Sequence, residues 1–360
     1  QETNLFAADG LAGDDFGYSV ALSSDGSRAL IGAYWDDTAA GLNAGTARVF
    51  LRTGTTWAEE ATLLASGGAS GDNFGNSVAL SSDGSRALVG AWQDDTPGPL
   101  NAAGSARVFL RTGTTWAEEA TLLAPDAAAI DYLGWSVALS SDASRALVGT
   151  SRDDTIVGGD AGSARVFART GTTWTAEATL LASDAVGGDY FGWSVALSSD
   201  GSRALVGVYN DGTVAGSQTG SARVFVRLGS SWTEEAMLRA VDGATYDQFG
   251  ISVALSGDGS RALVGANGDD TAGGTEAGSA RVFARTGSSW AEEALLLAPG
   301  GATNDAFGVS VSLSGDGSRA SDQSLSFSQV TRNVSPSWLY CPSMRSRPCS
   351  SLLSVPVTVH

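Results

Sequence analysis

Along most of the chain, large apolar residues alternate with small or polar ones in short runs. Phe16, Tyr18, Val20 and Leu22 are separated by Gly17, Ser19 and Ala21. That period of two belongs to a β-strand with one large-residue face and one small-residue face. Asp25-Gly26 follows, the dipeptide favoured in tight hairpin turns, so residues 28–33 (Arg-Ala-Leu-Ile-Gly-Ala) are expected to return as a second, antiparallel strand. A polar loop carrying Asp36, Asp37 and Thr38 leads to a third strand over 46–52. The turn Thr53-Gly54-Thr55-Thr56 then leads to a fourth over 57–65. Four short antiparallel strands are predicted from this one stretch.

The stretch then repeats. The phrase Phe-Gly-x-Ser-Val starts at Phe16, Phe74, Leu133, Phe191, Phe249 and Phe307, in steps of 58 or 59 residues, and a tryptophan recurs in phase at Trp57, Trp116, Trp174, Trp232 and Trp290. Tandem units of this kind are supersecondary modules that bury their apolar faces on one another. The expected fold is all-β: a β-propeller of four-stranded antiparallel blades, six rather than seven, over residues 1–320. A parallel β-helix would need shorter rungs and no Asp-Gly hairpins. Residues 2–7 align with 60–65 at a shift of 58, so an N-terminal strand within 1–11 is expected to complete the last blade and close the ring.

Third and fourth strands carry opposite charges. Arg48 and Arg52 share a face, and Glu59 and Glu60 lie on the next strand, which predicts exposed cross-strand ion pairs holding the hairpin. Every complete unit keeps both arginines. Four of the five keep both glutamates, and the other has Ala176 and Glu177.

Phe-Gly near the start of each unit and the run after the hairpin (Ile31-Gly32-Ala33, Val89-Gly90-Ala91, Val264-Gly265-Ala266) resemble the FG-GAP repeat of integrin α-chain propellers and of many bacterial secreted or surface proteins. The resemblance covers residues 1 to about 320 and implies an extracellular or cell-surface binding or adhesive role. Many integrin-type repeats place a calcium loop rich in Asp between the first two strands. Here the corresponding stretch, 21–29, matches only at Asp25 and Gly26, and one carboxylate is a poor calcium site. Asp25, Asp83, Asp200 and Asp258 are therefore expected as turn residues.

Composition narrows the function classes. There is no Lys, and 21 Arg stand against 39 acidic residues for a net charge of −18, which disfavours nucleic acid as a partner. The single histidine is the last residue, His360, so a histidine triad or multi-histidine metal site cannot be built in one copy. No apolar run reaches membrane-span length, and a soluble chain is expected. Gln1 in place of Met suits a terminus made by cleavage or truncation. Most titratable groups are copied from unit to unit and no nucleophile stands beside a base, so an enzyme such as a propeller hydrolase is disfavoured.

Two acidic positions recur. Asp14, Asp72, Asp131, Asp189, Asp247 and Asp305 precede each Phe-Gly site by two residues and are expected to cap a turn. The loop after the second strand carries Asp36 and Asp37, Asp94 and Asp95, Asp153 and Asp154, Asp211, and Asp269 and Asp270. A solvated loop is the plain expectation there, with calcium at Asp36, Asp37, Asp94 and Asp95 the alternative. Just before these acids the units vary: Tyr34-Trp35, Trp92-Gln93, Ser151-Arg152, Tyr209-Asn210 and Asn267-Gly268. Constant strands with variable loop residues describe a binding face on a rigid scaffold. Aromatic residues beside carboxylates and amides suit a carbohydrate or an extracellular protein ligand. Trp135 and Trp193, directly after the Phe-Gly site, are expected to serve packing. The competing role is structural: self-assembly into a surface layer or filament.

After Ala320 the pattern stops. Residues 321–360 contain no Gly and no Ala, yet hold 11 Ser, four Pro, both cysteines (Cys341 and Cys349) and the sequon Asn333-Val334-Ser335. Two readings stand side by side: a specialised end supplying strands from 325–330 and 352–359, or a shifted reading frame.

Overall fold

The computed structural model describes residues 4–95, 98, 101–212 and 216–323, and the backbone of the strand 354–358. The described residues hold no helix. They make five four-stranded antiparallel sheets and a three-stranded one, consistent with a propeller of about six blades. The strands are β1 (Ser19–Leu22), β2 (Arg28–Ala33), β3 (Thr46–Thr53), β4 (Thr56–Leu63), β5 (Phe74–Leu80), β6 (Arg86–Ala91), β7 (Ser105–Thr112), β8 (Thr115–Leu122), β9 (Leu133–Leu139), β10 (Arg145–Thr150), β11 (Ser163–Thr170) and β12 (Thr173–Leu180). They continue as β13 (Ser194–Leu197), β14 (Arg203–Val208), β15 (Ser221–Leu228), β16 (Ser231–Leu238), β17 (Ser252–Leu255), β18 (Arg261–Ala266), β19 (Ser279–Thr286), β20 (Ser289–Leu296), β21 (Val311–Leu313), β22 (Arg319–Gln323) and β23 (Ser354–Thr358).

The chain divides into two compact units, residues 1–202 with 227–232, and residues 203–226 with 233–360. In the first unit, Leu30, Val49 and Leu63 of the first sheet bury against Phe74, Val78 and Val89 of the second. Leu88, Val108 and Leu122 then meet Leu133, Val137 and Val148 of the third. In the second unit the same face of the fifth sheet, with Leu263 and Val282, packs on Phe307 and Ala320.

The two recurrent glycines explain one another. A methyl group on Gly32 would overlap the carbonyl oxygen of Gly75, and Gly90 and Gly265 stand in the same relation to Gly134 and Gly308. The glycine after the hairpin thus admits the backbone of the next unit's Phe-Gly, where Gly75 itself sits at a φ of 100° that side chains resist. The turn acids behave as expected: Asp25 accepts the Ser23 hydroxyl at 2.7 Å and the Ser27 N–H at 2.9 Å. These bonds, the Ser23 hydroxyl first, hold its carboxyl down to about 2.

The ion pairs differ from expectation in place and in burial. Between Val49 and Phe50 the register of β3 on β4 shifts, so that Val49 faces Ala61 and Phe50 faces Glu59. Glu60 is the extra residue of a β-bulge and leaves the pleat. Arg48 pairs with Glu59 at 3.4 Å, as expected, and also with Asp36 and Asp9. Glu60 instead makes a two-pronged pair with Arg28 of β2, at 2.9 and 3.2 Å. From the next sheet it receives the Arg111 guanidinium and the Trp116 indole N–H, both at 3.2 Å. Its side chain is only 5% exposed, against 25% for Glu59. Glu119, Glu177 and Glu235 accept the indoles of Trp174, Trp232 and Trp290 in the same way.

One expectation at the ends changes, and one strand falls where the sequence places it, within 352–359. Residues 4–11 form no strand; Leu5 instead packs with Phe16 and Trp57 on Ala29, Ile31 and Phe50. In the sixth sheet, β22 pairs with β21 on one side and β23 on the other. Residues 325–330, the sequon and both cysteines lie outside the described residues.

Candidate functional site

The first loop acid of each pair is turned inward, while the second, at Asp37, Asp95, Asp154 and Asp270, stays exposed. The first of each pair bonds the third strand of its own sheet. Asp36 accepts the Thr46 hydroxyl at 2.7 Å and Arg48 at 3.0 Å. Asp94 takes Ser105 and Arg107 at 2.5 and 2.6 Å, and Asp153 takes Ser163 and Arg165 at 2.5 and 2.7 Å. Asp211 pairs with Arg223 at 3.0 Å, and Asp269 takes the Ser279 hydroxyl at 2.5 Å. The second acid closes its own loop: Asp37, Asp95, Asp154 and Asp270 accept the backbone N–H of Asn43, Ala102, Asp160 and Glu276 at 2.8 to 2.9 Å. These carboxylates therefore shape the loops that carry the variable residues. Among the described residues no three His, Cys, Asp or Glu side chains gather as a metal would require.

The acids before each Phe-Gly site cap the preceding turn. Asp72 accepts Ala69 N–H at 2.7 Å and Asp131 accepts Ala128 N–H at 2.6 Å. Burial is the larger influence, pushing Asp72, Asp131 and Asp247 up to about 6.

The aromatic residues do come together. In the first unit Trp92 meets Tyr132 edge-on with centroids 4.5 Å apart and Trp135 at 5.1 Å. Trp135 lies nearly parallel to Tyr132, 19° between planes, and meets Trp193 at 4.5 Å. Tyr190 joins at 6.5 Å from Trp193. Arg152 completes the group, its guanidinium 5.1 Å from the Tyr132 ring centre and 5.7 Å from that of Tyr190. All six side chains are half-buried. The array runs along three consecutive repeats and carries a cation at its side.

Trp92 and Arg152 are thus united with four residues that the loop comparison did not pick out. Trp135 and Trp193 belong to the array rather than serving packing alone. Tyr132 and Tyr190 occupy a position held elsewhere by Asp15, Asn73, Gln248 and Ala306, always with φ between 52° and 62°. A tyrosine there is costly, since bulky residues resist the left-handed region. The signal was legible as variation at a constant repeat position, just before Phe-Gly. Elsewhere in the first unit, Tyr34 is buried between Tyr18, at 4.6 Å, and Trp35, at 5.2 Å. Tyr209 and Asn210 are half-buried in the second unit.

Repeated four-stranded modules held by inter-sheet glycines and Glu–Trp bonds, with an aromatic array built on their loops, define a tandem-repeat β scaffold of the binding type. The FG-GAP repeat profile matches residues 1–50, 57–109, 116–167, 174–225, 232–283 and 290–318, and the chain belongs to the FG-GAP repeat family. Such repeats are typical of extracellular or cell-surface proteins. A comparison with curated proteins finds no match.

Proposed function

We propose that the protein is a non-catalytic, extracellular scaffold that binds carbohydrate through its loop aromatics. The observation that carries this reading is the array of Trp92, Tyr132, Trp135, Tyr190 and Trp193, kept half-exposed in or beside the strand ends at the expense of two tyrosines in left-handed backbone. Ring faces stack on the apolar faces of sugars, and the edges of a wide aromatic strip suit a chain of them better than one small molecule. Screening the intact protein and its Trp35→Ala and Trp92→Ala forms on a glycan array tests it. Loss of the positive spots in Trp92→Ala supports the reading, and unchanged affinity in both variants sinks it.

A further inference from the structure

We infer that the carbohydrate taken by this array carries carboxylates, as a uronate-containing polysaccharide does, and that Arg152 is the residue that reads them. The inference rests on the carbohydrate reading above and narrows its substrate class.

Arg152 differs from the arginines that build the sheets. Arg28, Arg48, Arg107, Arg145 and Arg223 each hold a carboxylate within 3.1 Å. Among the described residues Arg152 has no ion pair and no side-chain hydrogen bond; its guanidinium lies over the two tyrosine rings. The acids nearest it in sequence bond other groups. Asp153 is bound by Ser163 and Arg165, Asp154 by the Asp160 N–H, and Asp131 by the Ala128 N–H. Cation–π contact fixes the plane of the guanidinium but uses none of its five N–H donors. A planar fork oriented by aromatic faces and still holding its donors fits a carboxylate two-pronged. The rings beside it would take the sugar faces on either side of that carboxylate.

The net charge of −18 opposes an acidic polymer at long range. Salt decides between the two effects. At about 0.15 M the screening length is about 8 Å, so the distant acids are damped while a direct guanidinium–carboxylate contact persists. Binding should therefore strengthen from very low salt to about 0.15 M and weaken again well above it.

The test uses the intact protein in calorimetric titrations with oligosaccharides of alginate, polygalacturonate and hyaluronan, each beside its carboxyl-reduced, neutral counterpart. Expected is binding of at least one acidic member, its reduced form about tenfold weaker or more, the weight of one charge-assisted hydrogen bond. Arg152→Gln should bring the acidic form down to the level of the reduced one and so erase the preference between them. Trp135→Ala should lower both. Equal binding of acidic and reduced forms, or an Arg152→Gln protein that still prefers the acid, overturns the inference while the carbohydrate reading stands. Binding of no acidic member overturns it as well; if neutral glycans also fail and an Asp-rich peptide binds instead, the carbohydrate reading falls with it. Circular dichroism of Arg152→Gln matching the parent protein establishes that a loss is not misfolding.

Discussion

Replacing Glu60 by Ala tests how the sheets are joined. The carboxylate lies at the bulge of β4 and holds three donors at once: Arg28 in its own sheet, and Arg111 and Trp116 in the next. Burial alone would raise its pKa, but the bonds from Arg28 and Trp116 and the charges of Arg28 and Arg111 outweigh it and hold it below its ordinary value. Removing one partner of a buried pair costs about 3–5 kcal/mol. Arg28 and Arg111 remain 11% and 23% exposed and regain some water, so about 3 kcal/mol is expected. Glu59→Ala should cost about 1 kcal/mol, because Arg48 keeps Asp36 and Asp9. Arg52→Ala, at an exposed position with no ion pair among the described residues, should stay within about 0.5 kcal/mol. Urea unfolding of the four proteins measures these values, and a double-mutant cycle of Glu60→Ala with Arg111→Ala isolates the bond between sheets, expected at about 1 kcal/mol. The sign with pH is fixed too. A depressed carboxyl stabilises above its unfolded value of 4.5, so the gap between parent and Glu60→Ala shrinks as pH falls below it. A Glu60→Ala cost no larger than that of Glu59→Ala, or a coupling of zero, would refute the inter-sheet role.

Three further outcomes follow from the same structure. Asp72→Asn keeps the acceptor for Ala69 but cannot ionise; since burial raises the native carboxyl to about 6 from 3.8, the parent loses stability relative to the variant as pH rises through that interval, and urea midpoints at pH 4 and 7.5 should show the two converging at the lower value. Gly90→Ala should cost about 2–3 kcal/mol through overlap with the Gly134 carbonyl, while Gly113→Ala, at a φ of 64° with nothing near, should cost about 1 kcal/mol; equal thermal shifts would contradict the packing argument. Tyr132→Asn should raise stability by relieving left-handed strain while weakening glycan binding, and a variant that binds as well as the parent would separate Tyr132 from the site.

Much of the fold was legible because each strand obeys one rule. The alternation around Phe16 to Leu22, the Asp-Gly turn and the strand of Arg28–Ala33 appear where the pattern puts them, although β1 begins at Ser19. What the period of two could not show was the bulge, since one extra residue in β4 turns Glu60 out of the face that Glu59 keeps. It also explains the third repeat: Ala176 stands at the expendable position, and Glu177, which binds Arg145, Arg227 and Trp232, is retained. For the proposed site, the variable loop residues include Trp92 and Arg152, while the paired acids serve the loops' own structure. Their carboxylates bind arginines and backbone N–H groups that lie up to 28 residues away in sequence, partners that a local reading does not connect.

The central claim is that the aromatic array is a glycan site, and Trp135 meets three of its rings, Trp92, Tyr132 and Trp193. Titrating the intact protein and its Trp135→Ala form with the best ligand from a glycan array is the direct measurement. The account predicts saturable binding by the parent protein and at least a tenfold loss in the variant, about 1.4 kcal/mol, with unfolding still cooperative. A variant that binds the same glycan with the parent's affinity would contradict it.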